Sequence, residues 1–300
     1  MSRPGAPRGV GNCYEGRSTP VTGRLGFLGP AGTYSEEAAA IYDRGMQRVM
    51  YSTIGQVTEA AESGQVDQAI VPVENSLHGA IPEVLDFLIR SPRIKITNEL
   101  ALRIRNCLMV KPGTRPQQIK RIYSHPQPLG QCRAYLTTHY PDAEPVAALS
   151  TAGAVTDMLA SAIPAAAIAP ARAAEIYGAE IVAEDIQDNQ NNFTRFVILG
   201  PGDHPRTGKD KTSVALSFSN DRPGLLYEVM GALATRKINL SKIESRPTGE
   251  KLGRYVFLID FEGHRTDPIV VDALEHIRRL TTMCKVFGSY PAKVLSTPPE

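Results

Sequence analysis

The sequence is short of the features that would place it in several large functional classes. Lysine and arginine number 33 against 31 aspartates and glutamates, a net charge of +2. That balance excludes a nucleic-acid binder working through bulk electrostatics. No run approaches about 18 uninterrupted apolar residues, the length a spanning helix needs. The best stretch, the alanine-rich 147–174, is broken by Ser150, Thr151, Asp157, Pro164 and Pro170, so no membrane partner is expected. The four cysteines, Cys13, Cys107, Cys132 and Cys284, are widely spaced and form no C-x-x-C pair. They match neither a zinc site nor the disulfide framework of a short secreted chain, which predicts reduced thiols and a cytoplasmic setting. GxGxxG, P-loop and HExxH motifs are absent, and the six histidines lack metal-ligand spacing. No cofactor and no metal are therefore expected.

What is there is globular. At 42% apolar and 21% charged residues the chain can bury a core of ordinary size. Its 300 residues suit one large domain or two ordinary ones. Residues 1–23 hold arginines among glycines and prolines without the apolar middle of a secretion signal, and predict a flexible tail. Strand and helix signals then alternate over 24–200. Strands are expected at 24–28, 68–73, 101–110, 121–123, 165–169, 180–183 and 193–199. Helices are expected at 35–42, 81–89, 129–138 and 171–177. This alternation predicts an α/β domain with a mainly parallel sheet. Residues 201–211, rich in glycine, proline and charge, read as a linker. Over 212–292 the order becomes strand 213–219, helix 223–236, strands 238–245 and 253–261, helix 268–280 and strand 283–290. That is the βαββαβ, ferredoxin-like plan. Residues 293–300 form a C-terminal tail.

Four polar clusters sit at strand ends in the first domain. The first is Gly29-Pro30-Ala31-Gly32-Thr33-Tyr34-Ser35-Glu36, where glycines permit close backbone approach and a helix start favours an anion. Thr33 acting only as a helix cap is the plain alternative. The second, Val73-Glu74-Asn75-Ser76, crowds the exit of an apolar strand. The third, Ser124-His125-Pro126-Gln127 with Gln131-Cys132, is either a ligand loop or a proline-stiffened helix start. The fourth, Asn192-Phe193-Thr194-Arg195-Phe196, sets a hydroxyl beside a guanidinium. A guanidinium fork suits a carboxylate, and a structural salt bridge is its alternative. Ligands of open α/β sheets bind at the carboxyl ends of strands, so the four clusters together suit a small anionic ligand.

These motifs, in order, resemble the prephenate dehydratase family. The second domain is similar to an ACT regulatory domain through Asn220-Asp221-Arg222-Pro223-Gly224-Leu225-Leu226 and Glu244-Ser245-Arg246-Pro247. The resemblance spans 24–290. It implies a two-lobed, periplasmic-binding-protein-like catalytic domain followed by the βαββαβ ACT domain. It also implies a monofunctional lyase of phenylalanine biosynthesis that converts prephenate to phenylpyruvate, carbon dioxide and water without a cofactor. By the same resemblance Thr194 acts on the leaving hydroxyl. Arg195 is expected to hold a substrate carboxylate, with Thr33, Asn75, Ser76, Ser124 and Gln131 as further substrate contacts. Glu74, His125 and Phe196 are expected in supporting or undecided roles. Phenylalanine is the expected effector, at Asn220, Gly224, Leu225, Leu226, Glu244 and Ser245. The family often carries alanine where this chain has Leu225, which would narrow an effector pocket. ACT pairing implies a homodimer or homotetramer. The competing readings are a non-catalytic amino-acid or keto-acid sensor built on the same cleft, and an enzyme preferring arogenate.

Overall fold

The structure, a computed structural model, describes residues 23–43, 45–218, 222–247 and 254–292. The first lobe is built from β1 (Arg24–Leu28), α1 (Tyr34–Tyr42), β2 (Gln47–Tyr51), α2 (Ile54–Glu62), β3 (Gln68–Asn75), the two-residue β4 (Gly79–Ala80), α3 (Pro82–Arg90) and β5 (Ile94–Arg103). Its helices begin where the sequence supplies caps. Thr33 and Thr53 accept from the backbone N–H of Glu36 and Gln56, and Pro82 fills a first-turn position where no N–H is needed.

The chain crosses at 104–106 to a second lobe. This comprises β6 (Cys107–Val110), a 3-10 turn (Pro116–Gln118), β7 (Arg121–Ser124), α4 (Pro126–Gln131), α5 (Arg133–His139), β8 (Glu144–Ala147), α6 (Thr151–Ala160), β9 (Ala165–Ala169), α7 (Ala171–Tyr177) and β10 (Glu180–Ala183). β11 (Phe193–Pro201) returns to the first lobe and inserts between β3 and β5. The two sheets run β2-β1-β3-β11-β5, with β4 beside β3, and β10-β6-β9-β7-β8.

Neither sheet is mainly parallel. β1 pairs parallel with β2 and β3, and β7 with β8 and β9, but β11 is antiparallel to both β3 and β5. In the second lobe β6 is antiparallel to β9 and β10. The double crossing is the cause. β5 leaves toward the second lobe and β11 comes back, so the two must run opposite ways. The apolar run expected as one strand over 101–110 is likewise shared between two sheets and interrupted by the crossover.

The C-terminal domain follows as β12 (Asp210–Ser217), α8 (Leu225–Ala234), β13 (Leu240–Pro247), β14 (Tyr255–Glu262), α9 (Pro268–Leu280) and β15 (Met283–Pro291), with sheet order β13-β14-β12-β15. Alternation divides its sheet. Val214, Leu216, Ile259, Phe261 and Val286 pack under α8 and α9. Ala215, Leu258, Phe287 and Tyr290 point the other way, into one apolar cluster with Val71, Val197 and Leu199 of the first lobe. β15 and β5 meet closely: a Cβ on Gly288 would lie 2.1 Å from the Ile96 carbonyl oxygen, so only glycine fits. Lys95 Nζ and Lys285 Nζ donate across this junction to the carbonyls of Val286 (2.8 Å) and Ser91 (2.5 Å).

Candidate active site

The site grows from the ends of β3 and β11, which pair with Thr194 opposite Asn75 and Arg195 opposite Glu74. Neighbouring residues of a strand point to opposite faces. Thr194 therefore shares the α1 side with Phe196 and Ile198, whereas Arg195 shares the opposite side with Val197 and Leu199.

Asn75, 7% exposed, organises the α1 side. Its Oδ1 accepts from the backbone N–H groups of Leu77 (3.0 Å) and His78 (3.1 Å). Those two donors fix which way the amide points. Nδ2 is left to donate to Asn192 Oδ1 (2.8 Å), the Phe193 carbonyl (3.2 Å) and Thr194 Oγ1 (3.0 Å). A hydroxyl has one proton and two lone pairs. With the amide on one lone pair, the Thr194 proton remains available to another acceptor.

His78 extends this set toward the second lobe. Its Nδ1 lies 3.0 Å from Asn75 Oδ1 and 3.0 Å from Gln127 Nε2, and 3.5 Å from Gln131 Nε2. Hydroxyl, amide, imidazole and two further amides thus run from β11 across to α4. Around them Tyr34 meets the crossover, its hydroxyl 2.8 Å from the Arg105 carbonyl and 2.9 Å from Asn106 Oδ1, and an Arg172–Glu36 ion pair (3.3 Å) ties the lobes.

The comparisons fit this geometry. Residues 25–204 match the family model for prephenate dehydratase, and residues 214–278 match that for the ACT domain. The chain belongs to the prephenate dehydratase family. It is 41% identical over 274 residues to the bifunctional chorismate mutase/prephenate dehydratase of Stutzerimonas stutzeri, covering 91% of this chain and 74% of that one. It is 37% identical over 284 residues to the prephenate dehydratase of Mycolicibacterium vanbaalenii, covering 89% and 90%. The crystal structure of an Arthrobacter aurescens prephenate dehydratase in complex with L-Phe superposes with a TM-score of 0.81 at 39% identity, over 90% of each chain. The activity is accordingly the conversion of prephenate to phenylpyruvate in phenylalanine biosynthesis, on a periplasmic-binding-protein-like fold with a C-terminal ACT domain.

Within this prephenate dehydratase fold the expected site residues separate. Thr194, Asn75 and Gln131 stand in or beside the set just described. Arg195 does not, which corrects the expectation of a substrate clamp. Its three guanidinium nitrogens are committed to the ACT side: Nε to Glu99 Oε2 (2.8 Å), Nη1 to Asp260 Oδ2 (2.7 Å) and Nη2 to Tyr290 Oη (2.7 Å). Glu74 lies on the same side, 2.7 Å from Lys242 Nζ and 3.7 Å from Arg195 Nη1. Burial opposes charge on this cluster, but Tyr290, Asp260 and Glu99 outweigh it and hold the Arg195 guanidinium well above its ordinary pKa. Asp260 is pushed up by burial, yet Arg195, the Ser213 hydroxyl, Lys211 and Lys242 bring it below the usual carboxylate value.

Ser76 is also displaced from the Thr194 side. It lines a cavity of about 290 Å³ facing the ACT domain, together with Glu74, Glu99, Phe193, Arg195 and Lys211. Its hydroxyl is taken by the Asn191 carbonyl (3.1 Å) and the Phe193 N–H (3.0 Å). Ser124 is fully buried and donates to the Ile168 carbonyl (2.7 Å), tying β7 to β9. Thr33 caps α1 and spends its proton on the Pro30 carbonyl (3.0 Å). Gly32, at φ +83°, makes room for α7 of the second lobe: a Cβ there would lie 3.1 Å from Ala173 Cα. His125 caps α4 by accepting from the Gln127 N–H (3.3 Å), and Phe196 is buried in the α1-side core. Asn192, Gln127 and His78 were inside the quoted motifs or next to them, yet motif reading singled out none of the three.

Of the expected effector residues, Asn220 lies outside the described residues. Gly224 caps α8 at φ +91° and Leu225 is 8% exposed. Glu244 and Ser245 lie on β13, with Glu244 3.2 Å from Lys242 Nζ. Among the described residues no metal-ligand cluster and no helix long and apolar enough to cross a membrane is found.

Proposed function

We propose that Thr194 donates its proton to the hydroxyl leaving the prephenate ring, in a carbon–oxygen lyase reaction. The observation that carries this role is the Asn75 amide on the Thr194 lone pair, with its orientation fixed by two backbone donors. The bond between the ring and its carboxylate breaks and releases carbon dioxide, its electrons complete the aromatic ring, and the hydroxyl departs as water with the Thr194 proton, which solvent water then restores to the threonine. Ring aromatisation supplies the drive. The enzyme supplies placement and a donor that is already aligned where negative charge develops on oxygen. His78, Gln127 and Gln131 face the same gap and offer donors for the carboxylate oxygens of the dianion. A glutamine donates without a formal charge. It therefore orients the ring carboxylate without the ground-state stabilisation that would slow its loss.

Thr194→Ala tests this reading. Turnover should fall at least ~10²-fold, the cost of about 3 kcal/mol typical of one transition-state hydrogen bond, with little change in KM. Wild-type kcat in the folded variant would remove Thr194 from the chemistry, and with it the reading of the site.

For the ACT domain we infer phenylalanine as feedback effector, supported by the L-Phe complex of the Arthrobacter aurescens relative. A second copy is inferred to pair along β13. That strand ends the sheet, and Ile243 on it and Tyr227 on α8 are exposed, at 45% and 80%. Calorimetry with phenylalanine and sedimentation of the full chain test both. Absence of heat and inhibition, or a monomer, would defeat them.

A further inference from the structure

Two residues of the candidate site stand back to back with two residues that reach the ACT domain. On β3, Asn75 faces Thr194 while Glu74 points the other way. On β11, Thr194 faces Asn75 while Arg195 points the other way. Glu74 meets Lys242 Nζ at 2.7 Å, and Lys242 lies 3.2 Å from Glu244 on the same strand. Arg195 meets Asp260 of β14, whose register partner on β13 is Lys242. Arg246, further along β13, meets Asp86 of α3 at 3.1 Å. Thus Lys242 and Arg246, on one face of β13, both hold carboxylates of the first lobe. β13 is also the strand that carries Glu244 and Ser245 of the expected effector motif.

We propose that Arg195 and Glu74 are positioning residues through which the state of β13 sets Thr194 and Asn75. Each is the covalent neighbour of a site residue and the ionic partner of the ACT sheet. The Arg195–Asp260 pair is largely buried and is held or broken rather than gradually stretched, because a lone buried charge is costly, while the Glu74–Lys242 pair, at 31% and 20% exposure, is only partly buried and couples more weakly. Movement of β13 therefore has to be followed at Glu74 and Arg195 or released there. Either response shifts the strand ends that aim the Asn75 amide and the Thr194 hydroxyl. Phenylalanine would act by binding one of these arrangements better than the other.

The inference rests on the reading of Thr194 and Asn75 as site residues, and its test separates the two. Full-chain Lys242→Met keeps the aliphatic stem and loses the ammonium. Phenylalanine should still bind it by calorimetry, within about threefold of wild type, while inhibition weakens about tenfold, inside the usual range of allosteric coupling. Arg195→Lys keeps the charge but cannot serve Glu99, Asp260 and Tyr290 together. It should lower kcat about tenfold with KM for prephenate held, with kcat referred to the folded fraction measured by circular dichroism, since partial unfolding would give the same split. Both variants are assayed well below their melting temperatures. Unchanged inhibition in Lys242→Met would overturn the proposal. So would loss of phenylalanine binding, which would make Lys242 a ligand, and so would wild-type kcat in Arg195→Lys. Wild-type turnover in Thr194→Ala would instead sink the reading of the site.

Discussion

Replacing Asn75 by aspartate keeps the side chain's shape, changes one donor into an acceptor and adds a buried charge. In the native site Nδ2 faces three oxygens, on Asn192, Phe193 and Thr194, at 2.8, 3.2 and 3.0 Å. Asn75→Asp would set a carboxylate oxygen there. The Leu77 and His78 N–H groups would keep their acceptor, so the turn after β3 should survive. Thr194, however, would now donate its proton to the carboxylate and withdraw it from the substrate. The expected loss in kcat approaches that of Thr194→Ala, ~10²-fold, or about 3 kcal/mol. The buried anion facing two carbonyl-type oxygens should also cost about 2–4 kcal/mol of stability. Steady-state formation of phenylpyruvate gives kcat and KM, and thermal melts report the stability. Because a protonated carboxyl donates again, and a buried site facing oxygens raises a carboxyl pKa above its ordinary value of about 4, the ratio of variant to wild-type kcat should rise as pH falls toward that raised pKa. A folded Asn75→Asp enzyme with wild-type kcat, or a ratio flat with pH, would refute the idea that the amide frees the Thr194 proton.

Ser124→Ala should leave kcat and KM near wild type. It should lower stability by about 1–2 kcal/mol, because the buried Ile168 carbonyl loses its partner; a large kcat loss with an unchanged melting temperature would return Ser124 to the substrate site. Asp260 has a folded-state pKa below its unfolded value, with burial opposing and Arg195 leading the groups that lower it. Its stabilisation is therefore present above the ordinary carboxylate pKa and lost as pH falls through the folded one. Acid melts of Asp260→Asn should show a shallower loss of stability than wild type below about pH 4, and parallel curves would contradict this. Gly288→Ala places a Cβ 2.1 Å from the Ile96 oxygen and should prise β15 from β5, seen as faster amide exchange in β5. Burial pushes the Cys107 thiol up to about 11 and the Cys132 thiol to about 12. Both should resist alkylation in the native protein at neutral pH and react on unfolding; fast native labelling would refute it.

Element types were legible wherever apolar spacing was strong. Strand 165–169, helix 171–177 and helix 268–280 coincide with the observed β9, α7 and α9. Others left little pattern. β2 is a lobe-edge strand with three of its five residues exposed, and α6 is built of small residues whose periodicity is faint. The direction of β5 and β11 had no sequence signal, because it follows from the chain crossing twice between lobes. The motif order was also legible, and it carried family, reaction and domain plan.

What the sequence by itself determined is the set of groups: which hydroxyls, amides and cations gather at the strand ends, and that an α/β unit precedes a βαββαβ unit. Which of them share a face was decided only by the tertiary structure. Thr194 and Arg195 are neighbours in the chain, yet the pleat sends one toward the gap between lobes and the other under the ACT sheet. Chain adjacency says nothing about whether a guanidinium will find a ligand or a protein carboxylate. Here Glu99 and Asp260, 96 and 65 residues away, both reached Arg195: Glu99 from the neighbouring strand of the same sheet, and Asp260 because the ACT sheet packs face to face with it.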